Sequence, residues 1–250
     1  MFFSSYLLFI IKNYIFDLYG TLADIKTNEK KPSLWKKSAE ILTAMGFPYS
    51  PKGLQKDYLS FVDEEARKIA PYHLKPEIEL RKVFRQLLSP WCPDETIDNF
   101  AITFRILSRE YIYTYEDTHK ILSTIKKSKG KIYLLSNAQS CFTVPELKSL
   151  GIYDYFDDIF ISSDMECAKP DPDFMDMLLK KHKLDISKSI MIGNEKTSDI
   201  AIANSFGMDS MYIHTLTSSA YSNPSDIAAT YMDLTSGEPT LEFFKNALDL

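Results

Sequence analysis

Residues 12–22 read Lys12-Asn13-Tyr14-Ile15-Phe16-Asp17-Leu18-Tyr19-Gly20-Thr21-Leu22. Tyr14-Ile15-Phe16 is a short apolar run that stops at an acid and meets a glycine three residues later, the pattern of a buried strand entering a tight turn. The residues beyond the turn decide which kind of sheet that strand joins. Lys26 to Lys31 (KTNEKK) is polar and reads as a solvated hinge or loop. From Pro32 to Tyr115 the apolar spacing is helical: Leu34, Ile41, Leu42 and Met45 before Gly46, then Leu54, Tyr58, Phe61, Val62 and Ile69. Pro76 is expected to open a third helix through Val83, Phe84, Leu87 and Leu88, and Pro93-Asp94 a fourth through Ile97, Phe100, Phe104 and Leu107. No strand is expected in this stretch.

From Asp117 onward helix and strand alternate. A helix through Ile121, Leu122 and Ile125 precedes the strand Lys131–Leu135 ending at Ser136, and a short helix near Pro145 precedes Asp158–Ile161. Pro172 opens a helix to Leu179, Ser189–Ile192 runs into Gly193, a helix to Phe206-Gly207 precedes Ser210–Ile213, and a helix around Leu241–Leu248 comes last. Strands separated by helices of this length imply right-handed crossovers and parallel pairing. The expected fold is therefore α/β: a doubly wound, parallel, Rossmann-like core in residues 12–24 and 116–250, with an inserted all-helical cap at 25–115.

The 29 Lys+Arg and 34 Asp+Glu give a net charge of −5, which supplies no basic field for nucleic acid or an anionic membrane. Cys92, Cys141 and Cys167 form no C-x-x-C pair and read as reduced thiols, and the four scattered histidines have no zinc-ligand spacing. The apolar start Met1–Ile11 lacks a positive leader and a cleavage pattern and is too short to span a bilayer, so it is taken as an extension of unknown role. A cytoplasmic monomer or homodimer acting on a small molecule is expected, without nucleic-acid or membrane partners.

Polar groups stand at the carboxyl ends of four predicted strands: Asp17, Ser136, Lys169, and the loop from Gly193 to Asp199. Ligands bind along that edge in open parallel sheets, so residues distant in sequence converge on one crevice. Alone, each has an ordinary reading as a turn acid, a helix cap, a surface lysine or a first-turn acid. Their joint placement favours a site.

With these residues in view, the chain resembles the haloacid dehalogenase superfamily of aspartyl-nucleophile hydrolases, over its whole length and including the helical insertion. Asp17-Leu18-Tyr19-Gly20-Thr21-Leu22 matches the first motif; Ser136, with Asn137 after it, the second; Lys169-Pro170 the third; and Gly193-Asn194 with Asp199 the fourth. The resemblance implies Asp17 as nucleophile, a catalytic group of Asp17, Tyr19, Thr21, Ser136, Asn137 and Lys169, and Mg²⁺ held by Asp17, the Tyr19 carbonyl, Asn194 and Asp199, with Glu195 a possible helper. A carboxylate attacking phosphorus or carbon splits one displacement into two. Ser136 and backbone N–H groups would hold the transferred group, and Lys169 would supply fixed positive charge. Mg²⁺ takes oxygen donors and binds through one or two carboxylates plus phosphate.

Two positions depart from the phosphatase pattern. Tyr19 stands where phosphatases carry an aspartate that protonates the leaving group, and a phenol of ordinary pKa near ~10 does that poorly at neutral pH. Tyrosine there is what the 2-haloacid dehalogenases carry; those, however, have a tyrosine six residues after the lysine, where this chain has Met175, and a different last loop. Asn194 replaces the usual first acid of the fourth motif. The expectation is a Mg²⁺-dependent phosphohydrolase on a small phosphorylated metabolite, acyl phosphates fitting best. The alternatives are a 2-haloacid dehalogenase and a catalytically weak phosphate-binding protein. Trp35, Lys36, Arg67 and His73 are inward-pointing candidates in the cap, with packing or solvated charge as their ordinary reading.

Overall fold

In the computed structural model, which describes residues 11–218, 227–237 and 239–250, the run ahead of Asp17 is the strand β1 (Asn13–Phe16). The apolar start at residues 1–10 lies outside the described residues. After the turn come β2 (Ala23–Thr27), helices α1 (Pro32–Ala44), α2 (Pro51–Ile69), α3 (Leu80–Leu88) and α4 (Asp94–Ser108), and β3 (Arg109–Thr114). The alternating part begins with α5 (Thr118–Lys127), β4 (Lys131–Ser136), α6 (Ser140–Ser149), β5 (Asp158–Ile161), α7 (Ser162–Met165) and α8 (Pro172–His182). It continues with β6 (Ser189–Gly193), α9 (Ala201–Ser205), β7 (Asp209–Thr215), β8 (Tyr231–Gly237) and α10 (Leu241–Leu248).

Six strands form one parallel sheet in the order β5-β4-β1-β6-β7-β8. Side chains along a strand alternate between faces, so Tyr14 and Phe16 enter a cluster with Leu134, Ile192 and Phe244, while Ile15 enters another with Leu135, Leu178 and Met191. Both faces are thus covered by helices, as a parallel sheet requires. Truncating fully buried Phe16 to alanine would cost about 3–5 kcal/mol. The strand order reverses beside β1, so the carboxyl ends of β1, β4 and β6 open onto one crevice.

The helices α1–α4 bury Leu34, Trp35, Leu42, Tyr58, Phe84, Phe100 and Phe104 among themselves, and Phe142 of α6 joins this cluster. Stacked and edge-to-face ring contacts run through it, including Tyr58–Phe104 and Trp35–Tyr58. Three local expectations differ. Residues 109–114 form β3, paired antiparallel with β2; their alternation of exposed Tyr111 and Tyr113 with half-buried Ile112 is a strand period inside an otherwise helical stretch. Pro76 does not open a helix, since α3 begins at Leu80; residues 75–77 run as a strap along the Lys169 loop, with Pro76 bridged to Cys167 and the Glu77 N–H donating to the Glu166 carbonyl at 3.0 Å. Strand β8 was not anticipated, because YMDLTSG carries no uninterrupted apolar run.

All three cysteines are free. Among the described residues no helix is long and apolar enough to cross a membrane.

Candidate active site

Asp17 extends the β1 ladder by one residue, its N–H donating to the Ile192 carbonyl at 2.9 Å. The chain then turns sharply, with the N–H groups of Thr21, Leu22 and Ala23 all pointing at the Leu18 carbonyl. Gly20 sits in the left-handed region at φ +84°, and a Cβ there would lie 2.3 Å from Asn194 Nδ2, so this turn admits no side chain. Ser136 ends β4, and Lys169 lies in the loop after β5 and α7, with Asn137 fixing it: the Asn137 amide donates to the Lys169 carbonyl at 2.9 Å and accepts from its N–H at 2.7 Å.

The four predicted groups meet. Lys169 Nζ donates to Asp17 Oδ1 at 2.8 Å and to the Leu135 carbonyl at 2.6 Å, and it pairs with Asp199 Oδ1 at 2.6 Å. Ser136 Oγ donates to the same Asp17 oxygen at 3.2 Å. Lys169 is only 1% exposed and Asp199 also 1%. Burial works against the ammonium, but the charges of Asp17 and Asp199 outweigh it and hold Lys169 above the ordinary lysine range. Burial first, then the Asp17 charge, push the Asp199 carboxyl up to about 6 against the pull of Lys169. Two acids share one buried cation.

The other oxygen of Asp17 faces a different set. Thr21 Oγ1 lies 3.5 Å from Asp17 Oδ2 and 3.3 Å from Asn194 Oδ1. The Asn194 amide nitrogen is turned the opposite way, towards Thr215 Oγ1 at 3.5 Å and Thr217 Oγ1 at 3.4 Å. Its oxygen is thereby left on the Asp17 side. One carboxylate oxygen and one amide oxygen at the mouth of an open cavity of about 360 Å³ fit Mg²⁺, which completes its shell with water and phosphate. Among the described residues no three His, Cys, Asp or Glu side chains group as a metal site. Asp199, expected as a ligand, has both oxygens engaged: Oδ1 by Lys169, and Oδ2 by the Glu195 N–H at 2.9 Å. Gly193 permits this, since a Cβ there would lie 2.2 Å from Asp199 Oδ2. Asp199 is thus placed as a counter-ion to Lys169. Glu195 caps the following turn through Thr197.

Tyr19 borders the cavity, but its hydroxyl donates to Glu146 Oε2 at 2.5 Å and lies 3.1 Å from Thr143 Oγ1. Burial, reinforced by the Glu146 charge, holds the phenol far above its ordinary value. An acid–base role for Tyr19 is therefore not what this geometry offers. Trp35 is buried in the helical cluster with Nε1 donating to the Glu29 carbonyl, Lys36 and Arg67 are exposed, and His73 rests near Asp171 and Asp173; none of the four borders the cavity.

Sequence reasoning missed Thr215 and Thr217, although they stand at the end of β7, on the same sheet edge as the predicted groups. It also missed Glu146, Arg105 and Arg109, for which no local signal exists: an acid on a helix and two arginines read as surface charges.

The comparisons with known proteins agree with one another. The sequence profile described as haloacid dehalogenase-like hydrolase matches residues 14–213. Phosphoglycolate phosphatase from Vibrio cholerae serotype O1 is 27% identical over 213 residues, covering 82% of this chain and 87% of that protein. Among solved structures, YfnB from Bacillus subtilis, described as a HAD-hydrolase bound to magnesium, superposes with a TM-score of 0.56 at 16% identity, covering 96% of this chain and 99% of the other. A dehalogenase solved as an intermediate complex gives 0.58 at 14% identity, covering 97% and 99%. At those identities the two structures speak for the fold.

Proposed function

The chain belongs to the haloacid dehalogenase-like hydrolases, and on that premise we propose that it is a Mg²⁺-dependent phosphohydrolase in which Asp17 is the nucleophile. One observation carries the reading: Asp17 presents one oxygen to Lys169 and Ser136 and the other to Thr21 and the Asn194 oxygen. The first side holds the carboxylate in one orientation. The second leaves oxygen donors facing an open cavity, which suits a hard cation and the phosphate it brings. The similarity to a phosphoglycolate phosphatase supports a small phosphorylated metabolite as substrate. Residues 25–115 are taken as a cap that closes over this cavity, and the three free thiols suit the cytoplasm.

When bound, Mg²⁺ neutralises phosphoryl charge and orients the group; Asp17 and Asn194 would hold it, with the Tyr19 carbonyl. The chain's own residues do the rest. Ser136 and Lys169 fix the Asp17 carboxylate, an Asp17 oxygen forms the bond to phosphorus, and the leaving oxygen departs with the bonding electrons. Water then attacks phosphorus, the Asp17–phosphorus bond breaks, the carboxylate is regenerated, and both water protons end on the released dihydrogen phosphate, which shares them with solvent. Asn137 keeps Lys169 in place through both steps, and Asp199 keeps its ammonium aimed at Asp17.

With Tyr19 tied to Glu146, leaving groups that need a proton gain nothing from it, so acyl phosphates suit the site better than alkyl monoesters. The same tyrosine is the observation that favours the second reading, hydrolysis of a carbon–halogen bond, since halide leaves unprotonated. Assays with acetyl phosphate, p-nitrophenyl phosphate and 2-chloropropionate, each with and without Mg²⁺, decide between them. Metal-dependent phosphate release, fastest from acetyl phosphate, is expected. Metal-independent chloride release would overturn the proposal in favour of the second reading, and phosphate binding without turnover would reduce the protein to a binder.

A further inference from the structure

Glu146 of α6 is 3% exposed and accepts four hydrogen bonds from three residues. Besides the Tyr19 hydroxyl, its Oε1 accepts from Arg105 Nε at 2.8 Å and from an Arg109 terminal nitrogen at 3.0 Å, and its Oε2 accepts from Arg105 at 3.3 Å. The Arg105 guanidinium also lies over the Phe142 ring, 5.1 Å from its centre, and 5.8 Å from that of Tyr19. Four pieces of chain meet here: the turn after Asp17, α6, the end of α4 and the start of β3. A carboxylate gripped by one guanidinium fork and a second guanidinium is a strong and well-fixed acceptor.

Ion pairing alone would explain the arginines, since they fasten the helical insertion to α6. It does not explain why the residue two places after the nucleophile adds a short hydrogen bond to an acid already paired twice. Tyr19 borders the cavity holding Asp17, while its hydroxyl is spent at Glu146. We propose that Glu146 is a positioning residue that keeps the Tyr19 hydroxyl off the leaving group, and so restricts the site to phosphoryl donors whose leaving group departs without a proton. This rests on the phosphohydrolase reading above.

The electron count agrees with that class. An acyl phosphate dianion and the Asp17 carboxylate exchange a phosphoryl group; the released carboxylate carries the negative charge, and no proton moves. An alkyl phosphate would instead release an alkoxide needing a proton that Tyr19 does not supply. Its hydroxyl is engaged by Glu146 and lies beside Thr143.

The test compares kcat/KM for acetyl, p-nitrophenyl, phenyl and glycerol phosphates, with Mg²⁺, in the wild type, Glu146→Gln and Tyr19→Asp. The expected wild-type rates fall steeply as the leaving group becomes more basic. Tyr19→Asp should narrow the gap between acetyl and glycerol phosphate by about 10²-fold or more, and Glu146→Gln, which loosens the hydroxyl, by about tenfold. A uniform loss on every substrate in both variants would mean that Glu146 is structural only, and would overturn the proposal. Should Glu146→Gln fail to fold, Tyr19→Asp decides by itself: no relative gain on glycerol phosphate overturns it.

A second readout is independent of turnover. The Tyr19 hydroxyl proton, assigned by its loss in Tyr19→Phe, should exchange slowly with solvent in the wild type and rapidly in Glu146→Gln. A hydroxyl proton that exchanges equally fast in both proteins overturns the positioning role, whatever the protein hydrolyses. A slowly exchanging proton in a protein that turns over no phosphate would uphold the positioning by Glu146 and sink the phosphohydrolase reading instead.

Discussion

Lys169 Nζ lies 2.8 Å from Asp17 Oδ1, in a position only 1% exposed. A buried ammonium within hydrogen-bond reach of a carboxylate holds it in one orientation, which a nucleophile requires. The cation is shared, however, because Asp199 pairs with it at 2.6 Å. Much of the site's expected behaviour stems from two acids resting on one lysine.

Lys169→Met should lower kcat by about 10²–10³-fold, the range found when one preorganised electrostatic partner is removed. It should also destabilise the fold by about 3–5 kcal/mol, because two buried acids lose their counter-charge. Urea unfolding and steady-state kinetics measure the two effects. A variant with wild-type kcat would show that Lys169 is structural.

Asp199 yields a pH prediction. Its folded carboxyl is raised to about 6, above the ordinary carboxylate value, mainly by burial. The folded protein therefore binds this proton more tightly than the unfolded chain does. The resulting stabilisation is fully present below the unfolded value and is lost as pH rises through about 6. The difference in urea midpoint between wild type and Asp199→Asn should thus change between about pH 4 and 6, with the wild type losing ground as pH rises. A constant difference would mean that Asp199 is not raised.

Gly193→Ala tests the close approach behind that pairing. The added methyl would sit 2.2 Å from Asp199 Oδ2 and force the side chain off Lys169. A loss of about 1–3 kcal/mol is expected from overpacking, with a fall in activity beside it. Thermal unfolding and kinetics of the purified variant check both. An unaffected enzyme would show that Asp199 can move without consequence.

Asn194→Asp should tighten Mg²⁺. The amide oxygen now facing Thr21 and Asp17 would become a carboxylate, and Mg²⁺ favours anionic oxygen donors. The half-saturating Mg²⁺ concentration for acetyl phosphate hydrolysis should drop about tenfold, equivalent to about 1.4 kcal/mol, and chelation by EDTA should silence both proteins. An unchanged Mg²⁺ requirement would remove Asn194 from the metal site.

The α/β core and the convergence of the candidate site were legible because their signals are local. Tyr14-Ile15-Phe16 ahead of Asp17, and the apolar runs ahead of Ser136 and Asn194, each state a strand and its end, and the sheet edge does the converging. Less legible was what a polar residue does once it arrives. Asp199 has the spacing of a metal ligand, yet the turn after Gly193 folds it back onto Lys169 and the Glu195 N–H. Nor does sequence reveal where the Tyr19 hydroxyl points, because its partner Glu146 lies 127 residues away and is held by arginines from the insertion. The strand Arg109–Thr114 was hidden by the helical period that precedes it, and β8 by its polar interruptions.

Every role proposed for the site depends on covalent attack by Asp17, and the most direct measurement is mass spectrometry of enzyme quenched in acid during acetyl phosphate turnover with Mg²⁺. The predicted result is a phosphoryl group on the peptide containing Asp17, absent from Asp17→Asn. Turnover with that peptide unmodified, or the phosphoryl group on another residue, would contradict it.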